Sequence, residues 1–246
     1  MIKANCRQKF TANDFKFIVD TLAKSSKEKP YLSQLLADEE VRDELLDHRV
    51  LLDAILDGKS PTNISPHLYF YVLTRKALLD FGIEEREIAD YIASMLSEFC
   101  SMRSAYSISY HDDQVYYYIV DLLLDLVEAS SREAFLLRSH IGNYSLFLTG
   151  IFPDYIYTRS VYGRSAPGFE YFEQIGSVNY RLASHHSIAH KYGLTEIFSE
   201  MALRFRPIRL ALNHLSDDFI TLNQGEPSLD KILRSIFHGP KKDKKF

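Results

Sequence analysis

Apolar positions along this chain recur at intervals of three and four residues, the period of one face of an α-helix. Almost no stretch alternates with the period of two that marks a half-buried strand. Thr11-Ala12-Asn13-Asp14 has the form of a capping box, in which the first and fourth residues satisfy each other's backbone amides. Phe10 and Phe15 sit at the two staple positions around it, and Phe15, Ile18, Val19 and Leu22 continue at helical spacing. The run Ser25-Ser26-Lys27-Glu28-Lys29-Pro30 ends this helix and reads as a linker. A long second helix is predicted from Asp38 to Asp57, closed by Gly58, with Val41, Leu45, Leu52 and Ile55 as its stripe. His48 falls on the same stripe and is expected to be a packed, hydrogen-bonded histidine.

The same signals recur downstream. Ser65-Pro66 opens a third helix, with serine as the cap and proline in the first turn, and Gly82 ends it. A fourth covers about 84–102, with Ile88, Tyr91, Ile92, Met95, Leu96 and Phe99 on one face. A fifth covers about 114–129. Ser130-Ser131-Arg132-Glu133 is a second capping box, opening a sixth helix that runs towards Phe152-Pro153. Residues 154–168 hold Arg159, Gly163, Arg164, Pro167, Gly168 and a cluster of tyrosines, and read as an interior loop. Helix resumes at Phe169 and is predicted to reach Tyr192-Gly193. Thr195-Glu196 opens the next, which Pro207 should kink unless the helix restarts there. Ser228 caps a last short helix ending at His238-Gly239-Pro240. The prediction is an all-α irregular bundle of about nine helices with little or no sheet and no fixed-period repeat. An N-terminal helical subdomain at 1–62, a main helical domain at 63–238 and a basic tail at 239–246 complete the expected organisation.

Composition narrows this picture. With 46% hydrophobic and 25% charged residues, 246 residues suffice for a sizeable core. Sixteen tyrosines without a single tryptophan imply polar seams inside that core, because each buried hydroxyl needs a partner. A net charge of -4, with a short lysine-rich tail that leaves the body still more acidic, argues against general nucleic-acid binding. Cys6 and Cys100 fit neither a zinc pattern nor a disulfide framework. The N-terminus lacks an apolar signal run, no segment suits a membrane span, and the expected location is the cytoplasm.

Candidate chemistry concentrates in 140–192. The segment from His140 to Pro153 places Gly142, Gly150 and several polar groups inside an apolar helix. Glycine there costs about 1 kcal/mol relative to alanine, so a close helix crossing or a ligand against the backbone should compensate. His140, Asn143 and Tyr144, with Arg159 and Arg164 before the next helix N-terminus, form a candidate binding site for a small anionic ligand. His186 and His190 stand four apart, a spacing that on one helix face can hold a divalent metal. The order His67, His111-Asp112, His140, His185-His186, Asp217 resembles that of helical HD-type phosphohydrolases, without the apolar setting and following glycine usual at the His-Asp pair. Glu-x-x-His and His-Glu-x-x-His are absent, and Gly163–Gly168 has P-loop glycine spacing without the lysine.

The pattern His-x-Gly-Asn-Tyr-x-Leu-Phe-Leu-x-Gly-x-Phe-Pro at 140–153 resembles a segment of uncharacterised bacterial all-helical proteins. Tyr171-Phe172-Glu173-Gln174-Ile175-Gly176, Tyr180-Arg181 and Ser65-Pro66-His67-Leu68-Tyr69-Phe70 resemble further parts of it. The resemblance implies a grouping and no activity. The reading that emerges is a non-enzymatic regulatory, assembly or ligand-binding protein that needs no cofactor. Its partner is a protein or a small anionic ligand, and homo-oligomers fit it too. The alternative is a metal-dependent hydrolase built on His140, His186, His190 and Asp112.

Overall fold

Both capping boxes are formed. Thr11 Oγ1 accepts from the Asp14 amide at 3.3 Å and the Asp14 carboxylate accepts from the Thr11 amide at 2.7 Å. Ser130 and Glu133 repeat the exchange. These contacts belong to a computed structural model that describes residues 1–56, 64–99, 119–162 and 167–222. Within them lie a 3-10 turn (Arg7–Lys9), then α1 (Ala12–Leu22), α2 (Lys29–Leu35), α3 (Glu39–Leu46), α4 (Arg49–Leu56), α5 (Pro66–Asp80) and α6 (Arg86–Phe99). There follow α7 (Ile119–Asp125), α8 (Ser131–Ile151), α9 (Pro153–Tyr162), α10 (Phe169–Ser184), α11 (Ser187–Lys191), α12 (Thr195–Leu203) and α13 (Phe205–Leu222). The fold is all-α, with no strand among the described residues. None of its described helices is long and apolar enough to cross a membrane. The expected helix at 228–238 and the basic tail at 239–246 fall outside the described residues.

There are more helices than the periodicity implies, because three expected long ones are each cut in two. The 38–57 helix breaks at Asp47-His48, where Asp47 turns its carboxylate onto Arg75 and Arg86 and His48 Nδ1 accepts from the Val50 amide at 3.2 Å. The 169–192 helix breaks at His185-His186. The helix opened by Thr195 breaks at Arg204, which pairs with Glu85 at 2.9 Å and Glu200 at 3.5 Å. Pro207 then lies in the first turn of α13, where its missing N–H leaves no hydrogen bond unmade. The presumed linker and loop hold helices too. Pro30 sits in the first turn of α2 and Pro153 begins α9.

α8 is the central element. Every residue from Ser139 to Ile151 is buried, against α10 on one side and α13 on another. The glycines set these spacings. A Cβ on Gly142 would lie 2.7 Å from the Tyr180 ring, and one on Gly150 would lie 2.8 Å from Leu212 Cβ. A Cβ on Gly176 would lie 2.5 Å from the Phe205 ring and 2.9 Å from Ser145 Cβ. All three are therefore filled by side chains of neighbouring helices, the first of the two compensations the sequence left open. α13 also finishes α8: Asn213 Nδ2 donates to the Thr149 and Gly150 carbonyls at 2.7 and 2.8 Å, and Ser216 Oγ to Ile151 at 2.8 Å. These are carbonyls that a helix end leaves without internal partners.

Gly176→Ala raises intrinsic helix propensity by about 1 kcal/mol. It should nevertheless destabilise the protein by about 1–3 kcal/mol through overpacking, as read from urea unfolding. Neutral or increased stability would contradict the close crossing.

Candidate functional site

Asn143 is at the heart of α8 and 3% exposed. Its Oδ1 accepts two hydroxyls, Tyr91 from α6 at 2.9 Å and Tyr180 from α10 at 2.7 Å. Burial drives both phenols well above their ordinary range, so both stay protonated donors. The Tyr91 and Tyr180 rings pack on Phe198 of α12, at 5.2 and 5.3 Å. Three helices thus meet at one carboxamide oxygen with a fourth packed on the two rings, and this is the polar seam that the tyrosine count implied. Asn143 is a residue expected to meet a ligand, and its side-chain oxygen is held by two protein donors.

His140 lies one turn earlier, 5% exposed, with its ring 5.7 Å from Phe99 and stacked 6.1 Å from Tyr144. Burial lowers its pKa to about 4, with a further contribution from the Met1 amino group. Tyr144 is itself buried. Arg159 falls on α9, but its side chain is outside the described residues, as are Arg164 and His111-Asp112.

His186 and His190 do not share one helix face. His186 is the N-cap of α11, and its Nδ1 accepts from the Ile188 amide at 3.1 Å. An accepting Nδ1 assigns the proton to Nε2, which lies 2.9 Å from Ser131 Oγ. Both nitrogens are therefore engaged within the fold, while exposed His190 sits inside α11. Among the described residues, no three His, Cys, Asp or Glu side chains are grouped so as to hold a metal ion.

Two arrangements escaped sequence reasoning. The first is a cluster of three arginines and three aspartates between the N-terminal segment and the α5–α6 pair. The Arg7 amide and Nε donate to Asp90 Oδ1 at 2.8 and 3.3 Å, and its guanidinium also pairs with Asp43. Arg86 reaches Asp47 at 2.8 Å, and Arg75 holds both Asp47 oxygens at 3.2 and 3.3 Å. Burial raises the Asp90 pKa against the pull of Arg7. The signal was present, since Arg75 and Asp90 stand among the apolar positions of their helices, where a charge is rare unless paired.

The second is the outward side of α10. Phe172, Gly176, Asn179, Tyr180 and Ala183 form its buried face. Beside them runs another apolar row: Tyr171 (37% exposed), half-buried Ile175, Val178 (44%) and Leu182 (45%). The steps of four, three and four are those of a coiled-coil seam. Exposed Glu170, Gln174, Arg181 and His185 form the third, polar side.

No protein-family model matches the chain, and neither the curated proteins nor the solved structures compared with it include a match. Fold and site define it as an all-α protein whose central helix is knotted by buried polar contacts.

Two measurements check this site. The folded state holds His140 neutral, with a pKa of about 4 against an ordinary 6.5, so its stability contribution is complete above pH 6.5 and lost as pH falls towards 4. The loss should total about 3 kcal/mol over that window, and His140→Phe should flatten this part of the stability profile. Parallel profiles for the two proteins would contradict the assignment. Arg7→Ala leaves the Asp43 and Asp90 carboxylates facing each other in a largely buried site. It should cost about 3–5 kcal/mol in chemical denaturation, and a loss below about 1 kcal/mol would mean that the cluster behaves as a surface network.

Proposed function

We propose that this protein is a non-enzymatic helical assembly module that docks a protein partner on the outward side of α10. The observation that carries the reading is the row Tyr171, Ile175, Val178 and Leu182. Single exposed apolar residues are ordinary, but four in seam register on one helix form a surface with direction and spacing. The polar groups of the 140–153 segment support the same reading from the inside. Asn143, Gly142, Gly150 and His140 are all engaged in packing α8, which makes a stiff platform for α10.

A hydrolase centred on His140 and His186 has less support. The one ring lies between aromatic neighbours with its proton affinity depressed, and both nitrogens of the other are occupied. Energetics bound the partner as well. Covering the row contributes roughly 1 kcal/mol per half-exposed side chain, while association costs at least about 4 kcal/mol. A stable complex therefore needs contacts beyond these four, or a partner that brings an equal apolar row.

A photoreactive phenylalanine at Val178 of the full chain, illuminated in cells that produce it, should yield a discrete adduct that Leu182→Asp removes. The same probe at Val50, an exposed apolar residue on α4, is the control. Absence of an adduct at 178, or an equal yield at 50, overturns the docking role.

A further inference from the structure

We propose that the occupant of the α10 seam is a second copy of this chain, with the two α10 helices antiparallel. The inference rests on the docking role of α10 and adds the identity and orientation of the partner. Its basis is that the seam complements itself. The row 171, 175, 178, 182 is symmetric about the point between Gly176 and Ser177. A twofold axis through that point, perpendicular to both helices, sets Tyr171 opposite Leu182 of the second copy and Ile175 opposite Val178. Each layer then pairs a larger with a smaller apolar side chain, and the partner supplies an equal row.

The same axis brings the two polar flanks to one side of the seam. Gln174 comes beside Arg181 of the second copy, about 3 Å out of level along the axis, an amide oxygen against a guanidinium. Both of these flanking residues are exposed. In the parallel, in-register alternative the polar flank of one helix meets the opposite flank of the other, where Phe172 and Asn179 are buried in their own fold, so Arg181 finds no exposed partner there. A polar pair at such a flank favours the orientation that forms it. Two heptads of seam bury less than the roughly 800 Å² per partner of a standard stable interface, so the association should be reversible and concentration-dependent.

The test uses full-length protein with Cys100→Ser to remove one background thiol, while Cys6 is fully buried and stays. Two further variants are prepared, one with Tyr171→Cys and one with Leu182→Cys. Under mild oxidation the antiparallel pair predicts a disulfide-linked dimer when the two are mixed and almost none from either alone. Position 171 lies roughly 16 Å along the axis from its own copy in that arrangement, far beyond disulfide reach. Sedimentation of the wild-type chain should show a monomer–dimer equilibrium that Val178→Glu weakens at least tenfold, with helix content unchanged. Cross-linking of each variant alone, with none in the mixture, would overturn the antiparallel pair. A wild-type chain that stays monomeric at hundreds of micromolar overturns self-association altogether. The photoadduct at Val178 separates the docking role of α10 from the identity of its partner. A product at twice the chain mass supports self-association, a product of any other mass overturns the second copy while leaving α10 a docking helix, and no product overturns both.

Discussion

The structure depends on the close approach of α8 and α10. Two helices pack at the distance their contact side chains allow, and here that distance is set by glycines receiving rings. Gly142 accepts the face of Tyr180, Gly176 accepts Phe205, and Ser145 faces Gly176 from the opposing helix. Close approach alone would let the helices slide. Asn143 prevents this, because its one oxygen holds Tyr180 from α10 and Tyr91 from α6 at hydrogen-bond distance. A one-residue shift of either helix would leave buried hydroxyls unpaired, at about 1–3 kcal/mol each. The apolar contacts thus supply attraction and the knot supplies register.

The N-terminal segment is fastened by different means. Asp14 is fully buried, and beyond its own cap it accepts from the Ser65 amide at 2.7 Å, binding the start of α1 to the start of α5. Cys6 Sγ donates to the His67 carbonyl at 3.2 Å, while Arg7 joins Asp43 and Asp90. These contacts are directional. They fix where α1 and α3 sit against α5 and α6, though a buried ion cluster adds less net stability than its short distances suggest.

The helical character was legible from the sequence wherever a local rule was complete. Thr11 with Asp14, Ser130 with Glu133, and Ser65 before Pro66 each start a helix where the pattern says one should. Prolines misled by their ambiguity. Pro30 and Pro153 looked like terminators, yet each stands in the first turn of a new helix. The break at His185-His186 was not legible, because a histidine that caps through Nδ1 looks in sequence like one that chelates. In the site, the glycines drew attention to the right helix, but what fills them is supplied by Tyr180, Phe205 and Leu212, from 29 to 62 residues away along the chain in the sequence numbering. No local pattern carries such partners. The same holds for Arg7, whose aspartates come from two other helices.

The proposed docking surface lies on the far side of α10 from the buried residues of α8. The knot and the glycine crossing hold α10 rigid, and the seam then presents Tyr171, Ile175, Val178 and Leu182 at fixed spacing. The most direct measurement follows the methyl resonances of this protein with increasing concentration. The account predicts that Val178 and Leu182 shift together and saturate, while core Leu212 and exposed Val50 stay in place. Val178 and Leu182 methyls that do not move, or that move no more than Val50, would contradict it.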